Sequence, residues 1–319
     1  MCREYGGPGV VRIEDVDPPT LGPGQIRVRV EAAAVNFPDV LIVAGEYQIK
    51  VPPPFVPGSE LAGRVLDVGR DVTTIKAGDQ VFGTAMVGAF AEEAVVPAAS
   101  VTVAPPGVEA ATAAAFGVAH RTAYHALRSV SAVQPGEEII VLGAGGGVGL
   151  AAVQLATVLG ATVTAVASSA EKLDVARSFG ATRVIDHSVG DLRGALKQCL
   201  PAGADVVIDP VGGDLAEPAL RALRYGGRFV TVGYASGAIP RIPLNLVLLK
   251  GIRIVGFEFL SFLTNEADVA ERNERELIEL LADGRARPYI GATFALDDTV
   301  AALQYVADGR AIGKVIVAP

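Results

Sequence analysis

Tryptophan is absent from these 319 residues, cysteine and methionine occur twice each, and histidine occurs three times. Two cysteines, Cys2 and Cys199, can close at most one disulfide, which excludes a disulfide framework. A reducing, cytoplasmic compartment is the expectation. Neither cysteine sits in a recognisable catalytic frame, and no Gly-x-Ser-x-Gly elbow presents a nucleophilic serine. Cys199, near the end of a predicted helix, reads as a small buried hydrophobe. His120 and His125 stand five residues apart, on different sides of a helix, and make no ligand pair. Positive charge is also short: 27 Lys and Arg face 35 Asp and Glu, for a net charge of −8. That argues against nucleic acid, which wants a clustered basic face, and against an anionic membrane surface. Residues 1–9 show no basic stretch followed by an apolar run, so no signal peptide is expected. Residues 139–170 carry no charge, but they hold six glycines. A buried strand, turn, helix and second strand suits them better than a membrane span.

Hydrophobic residues make up 50% of the chain, enough for a sizeable core. The length suits two domains of roughly 150 residues each. Residues 10–104 read as short alternating strands, such as 25–30, 63–68 and 94–96, broken by turns at 21–24 and 76–79. That texture predicts a β-rich, barrel-like domain. After about Glu109, strand-like runs alternate with helical ones as far as residue 233, which predicts βαβ units and a parallel sheet. Residues 266–319 hold two helices and a closing strand at 313–317, which is expected to rejoin the first domain.

Residues 141–150 read Val-Leu-Gly-Ala-Gly-Gly-Gly-Val-Gly-Leu. Taken as Ala144-x-Gly146-x-x-Gly149, the run leaves an apolar strand and opens a helix, as a dinucleotide-binding turn must. Gly146 would let the backbone approach a pyrophosphate, and Gly149 would let the helix pack close to the strand. The N–H groups around Gly145, Gly146, Gly147, Val148 and Gly149 would face phosphate charge. A glycine-rich turn without ligand is the plainer reading; the βα units on both sides favour the cofactor. The end of the next strand, residues 165–172, reads Ala-Val-Ala-Ser-Ser-Ala-Glu-Lys. An NAD enzyme would place a carboxylate there for the ribose hydroxyls. Ser168, Ser169 and Lys172 instead suit the 2′-phosphate of NADP(H). Ser168 with Glu171 also reads as a helix capping box, which would leave Ser169 and Lys172 to meet the phosphate.

Further segments, in chain order, carry a resemblance. They are residues 34–39 (Ala-Val-Asn-Phe-Pro-Asp), 45–47 (Gly-Glu-Tyr), 56–60 (Val-Pro-Gly-Ser-Glu), 77–81 (Ala-Gly-Asp-Gln-Val), 208–213 (Ile-Asp-Pro-Val-Gly-Gly) and 313–315 (Gly-Lys-Val). With the glycine turn, they resemble the zinc-free medium-chain dehydrogenase/reductases of the quinone oxidoreductase branch, related to zeta-crystallin. The resemblance implies an α/β chain. A β-rich GroES-like catalytic domain (1–115 and 258–319) would be split around a doubly wound Rossmann NADP-binding domain (116–257), with a cleft between them. It also implies a homodimer, and residues 251–257 offer an apolar edge strand for one. Relatives usually open with several further residues that form a first strand, whereas this chain begins almost at residues 3–7, Arg-Glu-Tyr-Gly-Gly; the expectation is either a trimmed start or a short first strand. Zinc-dependent members of the superfamily carry a cysteine where Asn36 stands and a histidine where Ser59 stands, so no metal is expected.

The resemblance also suggests roles. Asn36 and Tyr47 would line the nicotinamide and substrate, with Tyr47 a donor to the acceptor oxygen; a loop-fixing asparagine and a half-buried core tyrosine are the plainer readings. Thr122 would contact the nicotinamide amide, His187 would lie beside the adenosine, and Gly233, Tyr234 and Phe257 would flank the cofactor. Ordinary helix or core positions compete with each of these. Without a metal to polarise an alcohol, reduction of an electrophilic acceptor fits best, because the cofactor carries the hard chemistry. The expected activity is reduction of a quinone or an α,β-unsaturated carbonyl. An enoyl or acryloyl-CoA thioester reductase and an idle, crystallin-like NADPH-binding protein are the alternatives.

Overall fold

The computed structural model describes all 319 residues, and they separate into two compact units. The first comprises Met1–Val118 and Arg287–Pro319, the second Ala119–Ala286. In chain order the first unit opens with β1 (Gln25–Val35), α1 (Phe37–Ala44), β2 (Glu60–Val68), β3 (Gln80–Thr84), β4 (Glu93–Pro97), β5 (Val101–Val103) and α2 (Ala110–His125), which runs on into the second unit. The second unit holds β6 (Glu138–Leu142), α3 (Gly147–Val158), β7 (Thr162–Ala167), α4 (Ala170–Ser178), β8 (Arg183–Asp186), α5 (Leu192–Cys199), β9 (Ala204–Asp209), α6 (Ala216–Arg221), β10 (Leu223–Thr231), α7 (Leu244–Lys250), β11 (Arg253–Gly256), α8 (Phe259–Asn265) and α9 (Ala267–Ala282). The chain returns to the first unit with β12 (Ile290–Ala295), α10 (Thr299–Ala307) and β13 (Lys314–Ala318).

In the first unit one seven-stranded sheet runs β12-β13-β1-β2-β3-β5, with β4 also paired to β1. β1 organises it. Ile26, Val28 and Val30 alternate inward, and two register shifts against β2 bend the strand. Its first half can then pair with β4 while its last residues pair with β13. The closing strand does rejoin this sheet: Ala33 faces Val317, and Val35 faces Val315. That register carries Lys314 to the N-terminus of α1. The helix begins there because Asp39 Oδ2 accepts the Asn36 N–H at 2.7 Å and Pro38 stands in the first turn, and it ends at Gly45, whose φ is 69°.

In the second unit six parallel strands run β11-β10-β9-β6-β7-β8, a doubly wound order. All six residues of β9 are buried, as expected of a central parallel strand covered on both faces. The boundary differs from the sequence expectation, which ended the Rossmann unit at 257. α8 and α9 belong with that unit. Arg121 and His125 bond Glu274 at 2.8 and 2.9 Å, and Tyr124 bonds Glu276 at 2.7 Å. α9 buries Ala270, Leu277, Leu280 and Leu281; its period shows a helix but not the partner it packs against. β11 is shorter than the expected edge strand, bonding only β10 through four residues. No helix is long and apolar enough to cross a membrane. Cys199 ends α5 half-buried rather than fully inside, and both cysteines are free.

Candidate cofactor turn and active-site residues

The turn after β6 is built for close approach. Ala144 N–H bonds the Val166 carbonyl at 3.0 Å, which ties the turn to the neighbouring strand. Gly146 is the N-cap of α3, and no side chain caps it. The first N–H groups of α3 therefore keep their capacity for an anion. A Cβ at Gly149 would lie 2.1 Å from the Gly143 carbonyl oxygen, so only glycine lets helix and strand meet here. At Gly146 a Cβ would meet only the Gly143 carbonyl oxygen, at 3.5 Å, an ordinary contact that the fold accommodates. These features fit a pyrophosphate. A Cβ at Gly145 would meet the Lys172 stem at 2.5 Å, so that lysine lies directly over the turn. Burial draws its ammonium below its ordinary 10.5. Gly147 and Val148 form the first turn of α3.

At the end of β7 the structure exchanges two expected roles. Ser169, not Ser168, is the N-cap of α4 and accepts the Lys172 N–H at 3.4 Å. Ser168 lies one residue too early; its hydroxyl accepts from Lys172 Nζ at 3.2 Å. The pair beside the turn is thus Ser168 and Lys172. No carboxylate stands at the strand end itself.

The remaining candidates in this unit scatter. His187 is half-buried and its N–H bonds the Ala167 carbonyl at 3.0 Å, which sets it next to the β7 end. Thr122 is half-buried on α2. Gly233 follows β10 and its N–H points at the Asp209 carbonyl, while Tyr234 is exposed. Phe257 is buried against His125 and Phe262, with ring centroids at 6.4 and 5.5 Å, which is a core position. Sequence reading missed Asp209, buried at the end of β9. Its Oδ1 accepts from Val211 and Gly212 N–H at 2.9 and 2.8 Å, and burial lifts the carboxyl above its ordinary value.

In the first unit Asn36 belongs to a buried charged cluster that sequence reading also missed. Its Oδ1 accepts from Lys314 Nζ at 2.5 Å, and its Nδ2 donates to Glu60 Oε2 at 3.0 Å. Lys314 bonds the same carboxylate oxygen at 3.0 Å. Asp39 Oδ2 takes the Asn36 N–H at 2.7 Å. Burial pushes Asp39 up to about 6, against the pull of Ser59, the Asn36 N–H and Lys314. A signal existed: Lys314 and Glu60 are lone charges abutting the apolar runs at 315–318 and 61–63. Tyr47 is half-buried against the core of this unit. No three His, Cys, Asp or Glu side chains converge as a metal-holding group.

A GroES-like sheet and a doubly wound Rossmann sheet in one chain define a two-domain dehydrogenase/reductase. Residues 22–106 match the alcohol dehydrogenase GroES-like domain family, and residues 147–282 match the zinc-binding dehydrogenase family. Quinone oxidoreductase-like protein 2 of Bos taurus is 37% identical over 319 residues, 99% of this chain and 91% of that one. A probable oxidoreductase from Mycobacterium abscessus has a TM-score of 0.90 at 34% identity, covering 100% of this chain and 97% of that one. Escherichia coli quinone oxidoreductase, solved with NADPH, has a TM-score of 0.90 at 30% identity, covering 99% and 98%. The chain belongs to the quinone oxidoreductase-like branch of the medium-chain dehydrogenase/reductases.

Proposed function

We propose that this protein is an NADPH-dependent, zinc-independent cytoplasmic reductase of quinones or α,β-unsaturated carbonyls. The observation that carries the reading is the uncapped start of α3 with the Ser168–Lys172 pair beside it. The glycine turn holds the pyrophosphate, and Lys172 with Ser168 holds the 2′-phosphate, while Ser169 caps α4. His187 lies along the adenosine; Thr122, Gly233 and Tyr234 contact the rest of the cofactor, while Phe257 packs in the core. When bound, NADPH supplies the hydride. Asn36 and Tyr47 face the reacting groups, Tyr47 as hydroxyl donor to the acceptor oxygen. The zinc-ligand positions hold Asn36 and Ser59, and these residues offer no soft donor to a metal.

Steady-state kinetics with both cofactors tests the reading. A charge-assisted contact to phosphate is worth about 1.5–3 kcal/mol, or roughly tenfold to a hundredfold in affinity. Lys172→Ala is expected to raise KM for NADPH by that factor and leave NADH nearly unchanged. Equal use of both cofactors by the wild type, or equal weakening of both by Lys172→Ala, would defeat the phosphate pocket. NADPH bound without turnover of any quinone, enone or enoyl thioester would mark an idle binding protein.

The dimer is proposed on the exposed face around α7. Leu244, Leu248 and Leu249 are at least 72% exposed there, and β11 ends the sheet unpaired on one side. A second copy placed on a two-fold axis would cover the helix and extend the ladder. Light scattering should give twice the chain mass for the wild type and a single chain for Leu248→Glu with Leu249→Glu. A wild-type monomer at micromolar concentration would end the proposal.

A further inference from the structure

Lys314, Glu60 and Asn36 come from the starts of β13 and β2 and the N-cap of α1, and none is more than 7% exposed. An ammonium only donates and a carboxylate only accepts. Lys314 can therefore bond only the oxygen of the Asn36 carboxamide, and Glu60 only its nitrogen. Both contacts are present, at 2.5 and 3.0 Å. Glu60 is itself held, because Oε1 takes the Val118 N–H at 2.6 Å and Oε2 takes Lys314 at 3.0 Å. Gly117 permits this approach: a Cβ there would lie 2.8 Å from Glu60 Oε1. A reversed carboxamide would set donor against donor and acceptor against acceptor. The second Nδ2 proton turns to the Ala34 carbonyl at 3.4 Å. What Asn36 has left to offer a ligand is Oδ1.

We propose that Lys314 is a positioning residue for the reductase site: paired with Glu60, it fixes the Asn36 carboxamide as a hydrogen-bond acceptor. The proposal rests on the reading that Asn36 faces the nicotinamide or the substrate. It deepens that reading, since an acceptor recognises donors. Asn36 would hold the N–H of a nicotinamide carboxamide or a hydroxyl, and it would not polarise the carbonyl being reduced. That task falls to a hydroxyl such as Tyr47.

Lys314→Met alone strands a buried carboxylate and is expected to melt early. The deciding variant is the charge-balanced pair Glu60→Gln with Lys314→Met. In it, the side-chain amide introduced at position 60 keeps the Val118 N–H through its oxygen and turns its NH2 to Asn36, whose own amide then reverses. The pair should melt close to wild type and bind NADPH within about twofold, while kcat with 1,4-benzoquinone falls about tenfold, the effect of one misdirected hydrogen bond. Adding Asn36→Ala should lower kcat no further. Orientation is read without turnover, from the Asn36 side-chain amide in 15N NMR, identified by its loss in Asn36→Ala. It should be shifted downfield and protected in the wild type, and move to ordinary amide values in the pair. A wild-type kcat in the pair, a multiplying loss on adding Asn36→Ala, or an unchanged amide resonance overturns the proposal. Absence of wild-type turnover with every acceptor would instead defeat the reductase reading, and the resonance would still decide whether Lys314 orients Asn36.

Discussion

Gly149→Ala will lower the melting temperature of the second unit sharply, whereas Gly146→Ala will leave melting unchanged and weaken NADPH binding. The added methyl at Gly149 would lie 2.1 Å from the Gly143 oxygen, 2.6 Å from its carbon and 3.0 Å from the Ala144 Cα. These are backbone atoms that cannot rotate aside, so α3 must lift from β6. Overpacking of this kind costs about 1–3 kcal/mol, and more where the surroundings are rigid. For a unit of this size that is roughly 2–12 °C, at about 2–4 °C per kcal/mol. At Gly146 the backbone is extended, with φ at −88°, and the nearest atom to a new Cβ lies 3.5 Å away. Alanine fits the fold, but its methyl would stand where the proposed pyrophosphate approaches, and affinity should fall about tenfold or more. Thermal melts and fluorescence titration of NADPH separate the two roles. Equal melting of both variants, or wild-type affinity in Gly146→Ala, would refute the division of labour.

The contrast between these glycines marks what a sequence can carry. The turn was legible because its determinants are local: an apolar strand, four glycines in five residues and a helix follow one another in 138–158. The parallel sheet was legible from the alternation of strand and helix, and the return of β13 from its apolar run at the chain end. The cap of α4 was misplaced by one residue because Ser168 and Ser169 are chemically alike, and only the backbone path of β7 decides which one turns back. The boundary at 286 escaped because α9 is fixed by Glu274 and Glu276 meeting α2 about 150 positions away. Distance hid the charged cluster in the same way: Lys314 lies 278 residues from Asn36 and 254 from Glu60. Periodicity registers a lone charge beside an apolar run but cannot supply its partner.

Asp39→Asn will raise stability at neutral pH, an unusual outcome for a buried substitution. Asp39 is 1% exposed, and burial pushes its carboxyl up to about 6 from the ordinary 3.8. Each pH unit between those values is worth about 1.36 kcal/mol, so the ionised side chain costs the folded state up to about 3 kcal/mol above pH 7. The sign follows from proton binding. Between about pH 4 and 6 the folded state holds this proton while the unfolded chain releases it, so the contribution of Asp39 to stability falls as pH rises through that window. Asparagine keeps an oxygen for the Asn36 N–H and carries no charge to desolvate. The variant should gain about 1–3 kcal/mol at pH 7.5, about half of that at pH 5, and nothing near pH 4. Denaturant melts of both proteins at the three pH values give the comparison. A gain that does not shrink with falling pH, or a variant less stable than wild type at pH 7.5, would show that the carboxylate is better solvated than its burial implies. A carboxylate retained at such a cost, one helical turn from Asn36 and within the electrostatic reach of Lys314, is what a site that values charge above stability would keep.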